Sequence, residues 1–487
     1  MERPAVERRK PRTATVGIFG VGYDVYWDQF DGLLDQLTGY LAVFEGQVQA
    51  CGVETRNFGI VDNAQAADAA LERMKAAGLD LVFCDMLTYA TSATWGRVVR
   101  ELDVPIVLVA LQPLPRLDYP NATTYTQLCN DNICSVPEFT GVAVRMGRRP
   151  PPVVLGVLEG DAEAQAEIAQ WCDIAKVLHD LPGARIGHFG HVLEAMLDMH
   201  CDPTALTAAF GVHVVQLEID DLERLERDVA EEDVEAKSRQ ILDVFDTPDP
   251  GADPITRKLT PEDLRAAARA AVALDQLVEA HDLDGLAYYY KGEPGSDRER
   301  LAASLVVGNS LLAAAGFPMC GESDLKTCIA MLIMDRLGIG GSFAEFHPID
   351  FEEGFVLVGH DGPHHLGVAE GRPVLRSLVT YHGKPGAGAS VEFKLREGPI
   401  SMLGITQRAD GAPKFVIAEG QSVGGPIPAT GNTNTRGCFE PDVRTFLRRW
   451  VAEGPTHHFA LGIGHHATAL QHVGEALGIE SVVVTPH

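Results

Sequence analysis

Pro105-Ile106-Val107-Leu108-Val109-Ala110-Leu111 is an unbroken apolar run, and it decides how the first third of the chain is read. A strand that faces water on one side alternates polar and apolar residues. A run apolar at every position is buried on both faces. Two upstream runs share this texture, Thr15-Val16-Gly17-Ile18-Phe19 and Leu79-Asp80-Leu81-Val82-Phe83-Cys84. Helix-like stretches over about 27–50, 66–77 and 92–101 lie around them, with a short strand near 55–58. Buried strands alternating with helices predict a parallel sheet covered on both faces.

Working outward, Arg148-Arg149-Pro150-Pro151-Pro152 reads as a linker, since consecutive prolines suit neither a helix nor a central strand. A second alternating block follows, with strands expected at 153–158, 184–189, 212–217 and 283–290 and helices at 161–178 and 298–315. Thr260-Pro261-Glu262-Asp263 predicts another helix start, with Thr as N-cap and Pro in the first turn; that helix should run to about 281. The acidic stretch 231–258 is expected to be a helix end and an exposed loop. After Gly340 short alternating runs appear at 355–359, 375–381, 390–394 and 414–419, separated by turn residues, and predict an antiparallel barrel or sandwich. A last helix at 467–477 and a strand at 481–484 close the chain. The expected architecture is α/β: two Rossmann-like parallel-sheet domains, 1–150 and 151–338, followed by a β-rich, barrel-like domain, 339–487.

Length agrees, because 487 residues suggest about three domains. Lys and Arg number 40 against 68 Asp and Glu, a net charge of −28. Such a surface repels phosphate backbones and anionic membranes, so nucleic acid and membrane are not expected partners. The richest apolar stretch, 301–320, is interrupted by Gly308, Asn309, Ser310, Gly316 and Pro318, so no transmembrane helix is expected. The basic start leads into a strand rather than a signal-peptide core. Nine scattered cysteines without a CxxC fit reduced thiols and a cytoplasmic location.

Gly17-Ile18-Phe19-Gly20-Val21-Gly22 lacks the GxGxxG spacing and reads as a tight βα turn. Tyr23, Tyr26 and Trp27 fall at the C-terminal end of that strand, where open α/β sheets bind ligands; they either line a pocket or pack the domain. Histidine is unevenly spread. Of seventeen, eleven lie between His347 and His487, with His360, His364 and His365 in one cluster and His457, His458, His465 and His466 in another. Neutral imidazoles clustered in an acidic chain suit a metal, although loops also carry adjacent histidines idly. Two carboxylates stand out beside them. Glu322 lies in the polar turn Gly321-Glu322-Ser323-Asp324, before a helix whose apolar face is marked by Leu325, Ile329, Leu332, Ile333 and Leu337 and whose stop is Gly338. Glu345 lies between Phe343-Ala344 and Phe346, either facing solvent by alternation or held in a pocket.

These residues resemble the L-arabinose isomerase and L-fucose isomerase superfamily. Gly321-Glu322-Ser323-Asp324-Leu325-Lys326-Thr327 resembles the arabinose isomerase motif GEGDWKT, and Gly340-Gly341-Ser342-Phe343-Ala344-Glu345-Phe346 resembles GTSFMED. Val358-Gly359-His360 is similar to GSH and His457-His458 to the GAHHT segment. The four occur in the family's order and at similar separations. The resemblance implies an aldose–ketose isomerase whose divalent metal, Mn2+ in most members, is held by Glu322, Glu345, His360 and His458. It makes Glu322 and Glu345 the acid/base pair of the proton transfer, and implies a trimer or hexamer in which a neighbour's N-terminal domain completes the pocket. The strand at 105–112, ending at Gln112, also resembles the family's. Expected substrate contacts are Tyr23, Trp27, Gln112 and His457, with Lys326 or Arg436 able by charge to grip a sugar hydroxyl or an anionic substituent unless Arg436 only pairs with a surface acid. His457, His465 and His466 are candidates to orient substrate or support the metal.

The chain departs from arabinose isomerases in places. Ser323 and Leu325 replace Gly and Trp of the first motif, and Phe346 replaces an acid in the second. Gly20-Val21-Gly22-Tyr23-Asp24 stands where QHLYG is usual, and the loop 430–436 is unlike the family's. The sugar is therefore open, L-arabinose or L-fucose type or a sulfonated or acidic relative. A non-catalytic sugar-binding protein and a metal-dependent hydrolase are the rival readings.

Overall fold

A computed structural model of the chain describes residues 6–249, 255–381, 384–385, 388–428 and 433–485. It divides into two compact units, Arg12–Asp180 and a larger one made of Met1–Pro11 with Leu181–His487.

The first unit is a five-stranded parallel sheet in the order Glu54–Val61, Thr15–Val21, Leu81–Asp85, Ile106–Gln112, Val153–Val157. The three central strands are the apolar runs from which the sheet was predicted, and every residue of Leu81–Asp85 is buried. The edge strand Val153–Val157 follows the Pro150–Pro152 stretch directly and pairs with Ile106–Gln112. The expected helix over 27–50 is two helices, Val25–Gln29 and Leu33–Ala50, parted at Gly32 with φ +77°. Gly17 is where the sheet needs a missing side chain: a Cβ there would stand 2.8 Å from the Leu79 methyl.

The second unit opens with a four-stranded parallel sheet, Met319–Cys320, Gly285–Tyr288, Arg185–Phe189, His213–Leu217. Thr260 caps the helix Pro261–Ala280 by accepting from the Asp263 N–H, as its sequence predicts. The expected helix over 298–315 breaks at Ser304 into Asp297–Ala303 and Leu305–Ala314. The β-rich region is a closed antiparallel barrel. Strands run around it in the order Gly398–Gln407, Phe459–Ile463, Gly340–Asp350, Phe355–His360, Thr433–Cys438, Pro413–Val423, and the last pairs with the first. Glu480–Val483 joins Pro413–Val423 in parallel after the helix Ala467–Ala476.

The helix Leu325–Leu337 ends at Gly338 in left-handed backbone, as expected. Its expected solvent face does not exist. All thirteen residues are buried, because the helix packs against barrel strands on one side and the parallel strand Gly285–Tyr288 on another. Gly341 permits this approach: its φ is +103°, and a Cβ would meet the Met331 carbonyl oxygen at 2.7 Å. Its polar residues are paired internally. Arg8 brings two hydrogen bonds to the Asp335 carboxylate, at 2.9 and 2.6 Å, and Arg336 adds another. The basic start of the chain is thus structural, with Arg9 pairing Asp275 and Glu279 and Lys10 bonded to Asp284.

Candidate metal centre

Four stretches of the second unit meet at the barrel. Glu322 sits in the turn Gly321–Ser323, between the strand Met319–Cys320 and the helix Leu325–Leu337. Glu322 and Ser323 hold left-handed backbone, φ +59° and +58°. Such backbone costs a non-glycine residue about 1 kcal/mol or more and clusters at functional sites. Glu345 lies on Gly340–Asp350 directly opposite Gly359, which precedes His360. His458 precedes Phe459, which pairs with Ala344 on the other side of the same strand. Strand register therefore gathers Glu345, His360 and His458, and the turn delivers Glu322 to them.

Donor atoms of Glu322, His360 and His458 all lie within 4.8 Å of one another, as do those of Glu345, His457 and His458. His458 Nε2 is 3.6 Å from Glu322 Oε2, and His360 Nε2 is 3.9 Å from Glu345 Oε1. The Phe343 ring packs against both imidazoles, 4.3 Å from His360 and 4.4 Å from His458, whose rings are 5.3 Å from each other.

The donors fit a divalent cation. His458 is fully buried, and its Nδ1 lies 3.2 Å from the Asp324 carboxylate. Burial raises the Asp324 pKa, but the His458 hydrogen bond and the Lys326 charge outweigh it and bring it to about 2. An ionised Asp324 holds the proton on Nδ1 and leaves the Nε2 lone pair free to coordinate. That Nε2 and Glu322 Oε2 are both buried and have no hydrogen-bond partner. Protein interiors rarely leave such atoms unpaired. Two carboxylates and two imidazoles without a thiolate are an oxygen and nitrogen set of the kind Mn2+ accepts. Asp324→Asn is expected to weaken Mn2+ binding about 10- to 100-fold, while Asn still caps the helix. Titration calorimetry checks this, and unchanged affinity would remove Asp324 from the site.

Glu345 is surrounded by imidazoles. His457 Nε2 lies at 2.6 Å and His347 Nε2 at 3.8 Å. Burial raises its pKa, yet the His457 hydrogen bond and the neighbouring histidines bring it down to about 2. The same hydrogen bond raises the pKa of His457, against its partial burial. His457 also donates its backbone N–H to the Asp198 carboxylate at 2.7 Å.

Sequence reasoning passed over three neighbours of the centre. Asp324 was legible as a cap, since it accepts from the Thr327 N–H and hydroxyl, but its bond to His458 spans 134 positions. Asp361 lies 3.0 Å from His360 Nδ1. His347 shares a strand face with Glu345 by two-residue periodicity.

The remaining candidates fall elsewhere. Lys326 is buried, and its ammonium donates to the Asp198 and Met199 carbonyls at 2.9 and 3.2 Å. Arg436 pairs with Glu353 at 2.9 Å, and its guanidinium lies 4.2 Å from the Phe355 ring centroid; residues 430–432 of its loop lie outside the described residues. His364 is fully buried, and burial lowers its pKa to about 3. His465 Nε2 meets the Gly420 carbonyl at 3.0 Å, and the His466 N–H donates to Ser401. In the first unit, the Tyr23 ring stands edge-on to Tyr26 and Tyr89, Trp27 donates to Asp62 at 2.7 Å, and the Gln112 amide donates to the Leu114 carbonyl at 2.6 Å.

No protein-family model matches the chain. Curated proteins of similar sequence are L-arabinose isomerases. That of Nocardioides sp. is 26% identical over 422 residues, covering 82% of this chain and 79% of its own. That of Acidothermus cellulolyticus is also 26% identical, covering 82% and 80%. That of Herpetosiphon aurantiacus is 22% identical, covering 81% and 78%. Among solved structures, a C2-type ketoreductase from a modular polyketide synthase aligns with TM-score 0.20 and 12% identity over 65% of this chain and 82% of its own, too slight a likeness to bear on the fold. The likeness to arabinose isomerases read from four motifs thus extends over four-fifths of the chain.

Proposed function

We propose that this protein is a divalent-metal-dependent aldose–ketose isomerase acting on an open-chain aldopentose or 6-deoxyhexose of the L-arabinose or L-fucose type. The observation that carries the reading is the unpartnered pair at the centre, Glu322 Oε2 and His458 Nε2, with a second carboxylate, Glu345, beside the same histidine. Bound there by Glu322, Glu345, His360 and His458, Mn2+ would polarise the sugar's carbonyl and favour the enediolate.

The chain's own groups do the proton work. Isomerisation moves a proton between C1 and C2, so one base must accept it from carbon while another group serves the hydroxyl. Glu322 and Glu345 approach the same centre from different elements and divide those two tasks. His457, half exposed and bonded to Glu345, is placed to orient a sugar hydroxyl. We assign Tyr23, Trp27 and Gln112 as further sugar contacts, supplied in a homo-oligomer, trimer or hexamer, as the family resemblance suggests. The protein would work in the cytoplasm, in keeping with its unpaired cysteines.

Metal removal tests this directly. EDTA treatment is expected to abolish ketose formation from a panel of L-arabinose, L-fucose, D-arabinose and D-galactose, and Mn2+ to restore it. Failure of any metal to bind would overturn the reading. Metal binding without turnover of the panel would move the substrate to a sulfonated or acidic sugar.

A further inference from the structure

Lys326 belongs to the first motif, yet it is 2% exposed and its ammonium meets main chain rather than solvent. What it meets is the loop 190–202, between the strand Arg185–Phe189 and the helix Pro203–Phe210. Its Nζ donates to the Asp198 and Met199 carbonyls, and the Met199 side chain is fully buried. Just before the loop, the Ser323 hydroxyl donates to the Phe189 carbonyl at 3.2 Å. Buried contacts therefore fix the main chain at Asp198, although the residue itself is exposed.

The Asp198 carboxylate reaches the edge of the metal centre. Its Oδ2 accepts from the His457 N–H at 2.7 Å, and His457 Nε2 lies 2.6 Å from Glu345 Oε2. His457 is thus held at two points, its main-chain N–H and the tip of its ring. Its side chain is 48% exposed, and an imidazole so open would otherwise sample several rotamers. The next residue, His458, is also held by an aspartate, through Nδ1 and Asp324, and Lys326 Nζ stands 3.9 Å from that second carboxylate. One buried lysine therefore touches both aspartates that hold the two adjacent histidines.

We propose that Asp198 is a positioning residue, which places the His457 imidazole against Glu345 and so sets where a sugar hydroxyl is met. That His457 meets a sugar rests on the isomerase reading above; that Asp198 places the ring does not. The link runs through a main-chain N–H, which asks only for an acceptor oxygen. An amide oxygen at position 198 can serve it, and a methyl group cannot.

The test compares Asp198→Ala and Asp198→Asn with wild type. Both variants keep the residue 198 carbonyl for Lys326, and the altered side chain is exposed, so the core is untouched. At saturating Mn2+, on whichever sugar of the panel the wild type turns over, Asp198→Ala should lower kcat about 10- to 100-fold. Asp198→Asn should return it to within about threefold of wild type. Mn2+ affinity, read by calorimetry, should be unchanged in both, since Asp198 bonds to none of the four proposed donors. A second readout needs no turnover. Diethyl pyrocarbonate acylates free imidazole nitrogens, and peptide mapping by mass spectrometry locates the adduct. His457 should react about tenfold faster in Asp198→Ala than in wild type or Asp198→Asn. Equal reactivity of His457 in the three proteins would overturn the proposal, as would an unchanged kcat in Asp198→Ala, a loss of Mn2+ affinity in step with kcat, or an Asn variant no better than Ala. A wild type that isomerises no sugar would instead end the isomerase reading, and the reactivity comparison would still decide the part of Asp198.

Discussion

Glu345→Gln is expected to lower kcat by about 10³- to 10⁴-fold at saturating Mn2+, with the fold and the oligomeric state unchanged. General acid–base catalysis contributes about 10² to 10⁴ in rate, and Glu345 would be both a base and a metal donor, so the loss belongs at the upper end. The substitution is nearly isosteric. A glutamine carbonyl still accepts from His457, and the strand pairing to Gly359 and Ala344's pairing to Phe459 involve backbone alone. What the amide lacks is a charge and a proton-accepting oxygen of carboxylate basicity. Stopped assays of ketose formation, run over a Mn2+ series, separate the two contributions: weaker metal binding is recovered by added metal, and loss of the base is not. His347→Phe serves as the comparison, since it removes an imidazole 3.8 Å from the same carboxylate without removing the base. Turnover within about tenfold of wild type in Glu345→Gln would leave proton transfer to Glu322 alone and end the two-carboxylate assignment.

The two candidate carboxylates and the first sheet stand out in the sequence for different physical reasons. Strands such as Leu81–Asp85 are buried on both faces, so Leu81 to Cys84 is an unbroken apolar run that needs no partner to be read. Glu322 and Glu345 were legible through short local motifs. The helix Leu325–Leu337 shows an apolar face in its sequence, yet its polar Lys326, Asp335 and Arg336 are buried too, Lys326 on the Asp198 carbonyl and Asp335 between Arg8 and Arg336. A local pattern cannot distinguish a charge in water from one neutralised by Arg8, 327 positions away. The same limit hid the bond between Asp324 and His458, and it hid the two-residue strand Met319–Cys320, too short to show any period. The residues proposed to carry the chemistry were visible as candidates, and residues that hold another one, such as Asp324 on His458, were not.

Asp335→Asn is the substitution with the largest expected cost in stability. Asp335 is 2% exposed and Arg336 1%, with Arg8 completing the cluster and His365 Nε2 3.5 Å from the carboxylate. Replacing the anion leaves the Arg336 guanidinium charged and buried, since arginine does not shed its proton. Breaking a buried pair in this way costs about 3–5 kcal/mol, which should lower the apparent melting temperature by roughly 5–10 °C. Arg8→Ala is expected to cost much less, because Arg8 is partly exposed and Asp335 keeps Arg336. Acid should act through the same carboxylate. Burial raises the pKa of Asp335, but the Arg8 and His365 hydrogen bonds and the Arg336 charge overcome it and hold the group well below the ordinary carboxylate range. Its folded-state pKa therefore lies under its unfolded value of about 3.9. The stability it contributes is present in full above that unfolded value and is lost as pH falls from there toward the folded pKa. Melting temperatures of wild type and Asp335→Asn recorded from pH 7 down to pH 3 should thus stay apart throughout, the gap beginning to narrow only below about pH 4. Curves that coincide at pH 7 would show that the cluster does not stabilise the helix beside the candidate metal centre.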